Sequence, residues 1–179
     1  MPHVIERAPT GRAKCRGCGR PIARDMLRLG ERLPNPFDEK GGGMTHWYHL
    51  TCAAFRRPEP LVEALAATTE SIDDRDALER EARLGLAHRR LPRVNTAERA
   101  TSGRAACRAC RAPIEKGAWR IALLYPEDGR FVPAGFIHLT CAAGYLETTA
   151  IVPRLRHFTP NLGNDDVEEI CRVLAAPPP

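Results

Sequence analysis

The chain has 179 residues, with 27 Lys/Arg against 22 Asp/Glu and a pI near 9.0. That length suits one ordinary domain or two small ones of roughly 80–90 residues. No apolar run approaches the roughly 20 residues needed to cross a bilayer, and Met1 opens no signal-peptide pattern, so no membrane partner is expected and the chain reads as intracellular. In that setting seven cysteines point to metal ligation rather than to a disulfide framework.

In chain order, the first feature is Gly11-Arg12-Ala13 leading into Cys15-x2-Cys18. A strand is predicted over Leu27–Leu33. The stretch Asn35–Gly43, with Pro36 and three consecutive glycines, is predicted to be an irregular, mobile loop. His49-x2-Cys52 follows, with Ala53-Ala54-Phe55 as the first turn of a helix. A further helix is predicted at Leu61–Ala67. Acidic Asp73 and Asp74 precede another over Ala77–Leu86, where they suit an N-cap and the helix dipole.

Pro92 interrupts a basic stretch and places a module boundary at Arg90–Arg93. The second half repeats the order: Gly103-Arg104-Ala105, Cys107-x2-Cys110, strands at Trp119–Tyr125 and Phe131–Ile137, then His138-x2-Cys141 with a helix turn after it. Asn161 to Asp166 then leads into a helix over Val167–Ala175. The expected domains are residues 1–90 and 91–176, with 177–179 a disordered tail.

The halves align residue by residue. Gly11-Arg12-Ala13-Lys14-Cys15-Arg16-Gly17-Cys18 matches Gly103-Arg104-Ala105-Ala106-Cys107-Arg108-Ala109-Cys110, and His49-Leu50-Thr51-Cys52-Ala53-Ala54 matches His138-Leu139-Thr140-Cys141-Ala142-Ala143. A repeat that keeps every candidate ligand is a duplication. The expected fold class is therefore small α+β and zinc-stabilised, twice over: a short antiparallel sheet with C-terminal helices in each module.

The four positions carry the chemistry. A C-x2-C pair gives one ion two thiolates from a single tight turn, and H-x2-C supplies the rest of the shell. Three sulfurs and one imidazole nitrogen form a closed tetrahedral set suited to Zn²⁺, without an open position for catalysis. The ligands are Cys15, Cys18, His49 and Cys52 for one ion and Cys107, Cys110, His138 and Cys141 for a second. His46 competes with His49 on spacing but has no counterpart in the second half, so it is read as a surface or DNA-facing residue. Cys171 also lacks a counterpart and is read as a buried helix thiol.

Basic charge gathers at each Cys pair. Eight Lys/Arg face three Asp/Glu between Glu6 and Arg32, and six face two between Glu98 and Arg120. Clustering of that kind is the electrostatic footprint of nucleic-acid binding.

These residues resemble the PARP-type zinc finger: Gly-Arg-Ala-x-Cys-x2-Cys, an Arg on a short strand, a variable loop, then Trp47-Tyr48-His49 and Cys52. That family occurs in poly(ADP-ribose) polymerases and in a DNA ligase. The second half departs from it by carrying Phe136-Ile137-His138. The resemblance implies recognition of DNA strand breaks without sequence specificity. By motif, Arg12 and Arg28 in the first finger, and Arg104 and Arg120 in the second, would contact phosphates. Apolar residues in the loop ahead of the histidine would stack on the exposed base pair: Phe37 and Met44 in the first finger, Phe131 and Val132 in the second.

The implied protein is a monomeric binder and not an enzyme, because the repeats consume the chain and leave no room for a polymerase domain. A repair enzyme would be recruited in trans. It would work in the bacterial cytoplasm at the nucleoid, or in a eukaryotic nucleus. Three other readings compete: a zinc scaffold for protein partners, a general single-strand or duplex binder, and a nuclease using Asp73, Asp74 and Asp76 or Asp165 and Asp166. For the nuclease, capping explains the acids better.

Overall fold

The computed structural model describes residues 2–34, 43–127 and 129–176. The chain divides into two compact units, Met1–Ala87 and His88–Pro179. Each contains a three-stranded antiparallel sheet in sequential order.

In the first unit, β1 (Val4–Arg7) pairs with β2 (Leu27–Pro34), which pairs with β3 (Gly43–His49). Helix α1 (Leu50–Arg56) starts directly after His49, followed by α2 (Pro58–Ala67) and α3 (Arg75–Ala87). Helix α3 packs against both α1 and α2, burying Leu78, Ala82 and Gly85, one face at helical spacing. Helix α2 begins three residues ahead of the predicted Leu61. Pro58 and Pro60 lie in its first turn, where a missing N–H costs no hydrogen bond.

The second unit repeats the plan. A single 3-10 turn at Leu91–Arg93 leads into β4 (Val94–Arg99), which pairs with β5 (Trp119–Glu127), which pairs with β6 (Arg130–His138). After His138 the chain makes a 3-10 turn, Leu139–Cys141, and then α4 (Ala142–Leu146), α5 (Val152–Phe158) and α6 (Asn164–Ala175). Helix α5, which the sequence reading omitted, also carries proline in its first turn. Helix α5 packs on β4. At the start of α6 the Asp166 carboxylate accepts the Gly163 N–H at 3.1 Å, so an acid in the first turn closes the helix by reaching back.

Several expectations change. The loop predicted over Asn35–Gly43 lies outside the described residues except for Gly43, which is the first residue of β3. His46 is not at the surface. Strand alternation points His46 and Tyr48 inward, and the register sets His46 opposite Glu31, so that it is 5% exposed. Cys171 is on α6 as expected but exposed. The buried stripe of that helix runs through Val167, Ile170 and Leu174, which leaves Cys171 outside it.

The Phe-Ile-His departure has a packing explanation. A Cβ added to Gly30 would lie 2.7 Å from the Trp47 ring and 2.9 Å from Val4, so the indole at this cross-strand position requires glycine beneath it. In the second unit the corresponding pair is Ala122 and Phe136: a smaller ring accommodates the extra methyl. A second exchange is electrostatic. Glu31 is 1% exposed and forms an ion pair with Arg57, whose Nε lies 2.9 Å from both carboxylate oxygens. At the matching positions the second unit has Leu123 and Leu146, both buried.

Cutting one partner from a buried ion pair costs about 3–5 kcal/mol, whereas replacing both with apolar groups is often neutral. Arg57→Ala is therefore expected to destabilise the zinc-loaded protein by roughly 3 kcal/mol, because the buried Glu31 loses its counter-charge. The double change Glu31→Leu with Arg57→Leu should recover most of that loss in chemical unfolding. Equal costs for the single and double variants would show that the pair is not coupled.

Candidate metal centres and nucleic-acid interface

Each metal centre is assembled from a knuckle and a helix start. In the first unit the knuckle is closed by hydrogen bonds from Cys15 N–H to Arg20 O at 2.9 Å and from Gly19 N–H to Cys15 O at 2.7 Å. In the second, Cys107 N–H to Ala112 O and Arg111 N–H to Cys107 O, both 2.9 Å, repeat the pattern. Across from each knuckle the last strand delivers the histidine, and the turn after it delivers the last cysteine.

The structure gathers Cys15, Cys18, His49 and Cys52 into one group and Cys107, Cys110, His138 and Cys141 into another, each with its ligand atoms within 4.8 Å of one another. A tetrahedral zinc with Zn–S of about 2.3 Å and Zn–N of about 2.0 Å requires roughly 3.6 Å between nitrogen and sulfur. His49 Nδ1 lies 3.5 Å from Cys18 Sγ and 3.8 Å from Cys52 Sγ, and His138 Nδ1 lies 3.4 Å from Cys110 Sγ and 3.8 Å from Cys141 Sγ. The tautomer is set from the far side of each ring. Nε2 is 3.2 Å from Pro21 O in the first unit and 3.1 Å from Pro113 O in the second. An N–H donated there leaves the Nδ1 lone pair for the ion. These sets fit two zinc ions.

One thiol in each set is prepared for ligation. A hydrogen bond from Cys52 holds Cys15 down to about 5, helped by the N–H groups of His49 and Cys18 against the opposing effect of burial. That same bond, together with burial, pushes Cys52 up. In the second unit burial works to raise Cys107, but the N–H groups of Cys110, His138 and Ala109 outweigh it and hold the thiol to about 7. Cys141 is pushed up to about 12, by burial first and then by Cys110.

Among the described residues these tetrads are the only groups of three or more metal-type side chains close enough to share an ion. Asp73, Asp74 and Asp76 do not converge on one.

Next to each centre stands an arginine. Arg28 pairs across the strands with His49, and Arg120 with His138. The Arg28 guanidinium lies 3.5 Å from the centre of the Trp47 ring, and Arg120 lies 3.7 Å from that of Phe136. A glutamate on the neighbouring strand holds each one. Glu6 Oε1 accepts Arg28 Nη2 at 2.6 Å and Nε at 3.3 Å; Glu98 Oε1 accepts Arg120 Nη2 at 2.5 Å and Nε at 2.9 Å. Arg28 is 6% exposed and Arg120 8%. In each, Nη1 has no protein acceptor among the described residues, and an N–H edge stays available.

Sequence reasoning missed these glutamates, although a signal existed: Glu6-Arg7-Ala8 and Glu98-Arg99-Ala100 stand at the same distance ahead of the two Gly-Arg-Ala segments. Arg12 and Arg104 lie on the exposed turns before the knuckles. Met44, half-buried, pairs with Leu33 on β3. Phe131 and Val132 are not in a loop but at the outer end of β6, opposite Pro126 and Tyr125, and Tyr125 is 48% exposed. Phe37 lies outside the described residues.

Acidification returns protons to the ligand thiols, and a thiol with a lowered pKa stays ionised until the pH falls through that value. The bound ion holds its thiolates ionised below the range in which the metal-free thiols titrate, so zinc is expected to leave both centres only on acidification, as the sulfurs of each set take up protons. Cys18→Ala and Cys110→Ala should each retain one zinc per chain, which isolates the two release curves for a chromogenic chelator. A release curve that does not move with pH would contradict thiolate ligation.

Comparison with known proteins agrees with the geometry. Residues 6–87 match the family described as the poly(ADP-ribose) polymerase and DNA-ligase zinc-finger region. Poly [ADP-ribose] polymerase 1 of Gallus gallus is 31% identical over 170 residues, covering 81% of this chain and 16% of that protein. Its counterpart in Oryza sativa subsp. japonica is 28% identical over 147 residues, 77% of this chain and 14% of the relative. The poly [ADP-ribose] polymerase of Drosophila melanogaster is 28% identical over 135 residues, 68% of this chain and 13% of the relative. The chain thus spans about a sixth or less of the length of these relatives. With its metal tetrad, clamped arginine and family match over residues 6–87, the chain belongs to the PARP-type zinc-finger family through its first unit, and its second unit repeats the same ligand set and three-stranded sheet.

Proposed function

We propose that this chain binds DNA at strand breaks (nicks, gaps or ends) without reading sequence, and that the binding depends on zinc. The observation that carries the reading is the arginine clamp built twice, Glu6–Arg28–Trp47 and Glu98–Arg120–Phe136. An arginine held flat between a carboxylate and a ring loses little conformational freedom when its free edge meets a phosphate oxygen. It stands directly opposite a metal-ligand histidine, so the zinc site fixes the strand that presents it. Arg12 and Arg104 add exposed charge on the adjoining turns.

Stacking on the base pair laid bare at a break falls to Met44 and Phe37 in the first module and to Phe131 and Val132 in the second, with Tyr125 beside them. Such contacts add on the order of 1–3 kcal/mol per base and tolerate any sequence. Two fingers on one chain raise the effective concentration of the second contact.

The proposed role is binding, not catalysis, with a repair enzyme recruited in trans. The chain would act as a monomer, in a nucleus if eukaryotic or at the nucleoid if bacterial. Among the described residues no helix is long and apolar enough to cross a membrane.

The test is affinity for a nicked hairpin against the same duplex sealed, over a salt series, with and without chelation. Nick preference should disappear on chelation and weaken steeply with salt. Equal affinity for both duplexes would refute break recognition. Arg28→Gln and Arg120→Gln should each weaken nick binding roughly tenfold and lower the salt slope by about one. Glu6→Gln frees the guanidinium of its counter-charge while removing its brace, and the prediction is loss of nick preference with sealed-duplex affinity unchanged or higher.

A further inference from the structure

The second module carries a basic cavity at its metal knuckle. Ala106, Cys107, Arg108, Arg111 and Tyr145 line an open cavity of about 590 Å³ beside the metal centre. Among the described residues no carboxylate lines it. Arg108 and Arg111 are exposed, and neither has an ion pair or a side-chain hydrogen bond among the described residues.

Three details show that the cavity is shaped rather than incidental. Arg111 occupies the left-handed backbone region at φ 65°, where the first module places Gly19 at φ 74°. An L-residue there costs roughly 1 kcal/mol that glycine avoids, and the residue holding that strained position carries a positive charge into the cavity. Second, the stem of Arg108 rides over Gly135 (φ 89°), where an added Cβ would lie 3.2 Å from Cγ and Cδ. The chain in front of His138 has thus made room for this side chain. Third, Tyr145 is braced: Arg90 donates through Nη1 to its carbonyl at 3.0 Å, and the Arg90 guanidinium sits 4.9 Å from the ring centre. The first module has Arg56, 3% exposed, where Tyr145 stands.

An aromatic ring among guanidinium groups suits a phosphate joined to a flat, π-rich group. Three thiolates leave a zinc centre of this type with one net negative charge, which Arg108 and Arg111 exceed. We propose that the second module takes one nucleotide of single-stranded DNA in this cavity, its phosphate on Arg108 and Arg111 and its base on Tyr145. This site is distinct from the arginine clamp, and the proposal rests on the DNA-binding reading above. It would hold a strand that leaves the duplex, such as a flap or the unpaired stretch of a gap.

The experiment compares anisotropy titrations of the full zinc-loaded chain on three probes: a sealed hairpin, a nicked hairpin, and the nicked hairpin with a short oligothymidine flap. The wild type should bind the flapped probe about tenfold more tightly than the plain nick, a gain within the range expected for one stacked base and its phosphate. Arg111→Gly, which restores the residue found in the first module, should abolish that gain while leaving nick binding, zinc content and unfolding midpoint undiminished. Tyr145→Leu should reduce the gain on its own.

A flap that adds nothing to wild-type affinity, or a gain that survives Arg111→Gly, would overturn the proposal. Displacement of the flap by a phosphoserine peptide as readily as by free oligothymidine would overturn the nucleotide assignment. Loss of preference for the nick over the sealed hairpin would refute break recognition separately, because the flap increment is read against the nick and not against the sealed duplex.

Discussion

Everything in each module hangs on holding three sulfurs and one imidazole nitrogen around a single point. Domains of this size bury too little apolar surface to be secure by packing alone, and a structural zinc contributes folding energy outright. The ion also ties together segments far apart in sequence. Cys15 and Cys18 come from a knuckle, His49 from the end of a strand and Cys52 from the first turn of a helix. Fixing those four fixes the sheet's edge, the helix start and the line of the strand between them.

The arginine clamp follows from that geometry. Arg28 and Arg120 sit across the ladder from the metal-ligand histidines, so a ligand atom positioned to within a few tenths of an ångström also positions the cation. The glutamate and the ring then remove the arginine's remaining freedom, one by charge-assisted hydrogen bonds and the other by cation–π contact. Each clamp is close to neutral overall, because the carboxylate cancels the guanidinium. In the proposed DNA-binding role it would offer a phosphate direction more than net charge, while the exposed arginines around it would supply the long-range attraction.

Duplication has let the halves diverge where the metal does not hold them. Gly30 with Trp47 is matched by Ala122 with Phe136, two solutions to the same cross-strand volume. Glu31 with Arg57 is matched by Leu123 and Leu146, an ion pair in one unit and buried apolar side chains in the other. Gly19 is matched by Arg111 at a backbone position that favours glycine. The first two exchanges conserve packing; the third adds strain and charge, and it is the one on which the proposed nucleotide site rests.

The sequence by itself determined the ligand sets, the duplication and the fold class, because C-x2-C and H-x2-C confine ligand chemistry to four local positions that any fold must bring together. Helices with clear 3.6-residue stripes, such as Ala77–Leu86 and Val167–Ala175, were legible for the same local reason. Strands β1, β3 and β4 were not. They are short and polar, and only pairing with β2 or β5 makes them strands. Burial was decided by the tertiary structure: His46 turns inward through its register with Glu31, and Cys171 turns outward because the stripe of α6 bypasses it. The clamp too needed three dimensions. Glu6 and Arg28 are 22 residues apart, and a contact at that separation depends on strand register, which no local pattern encodes.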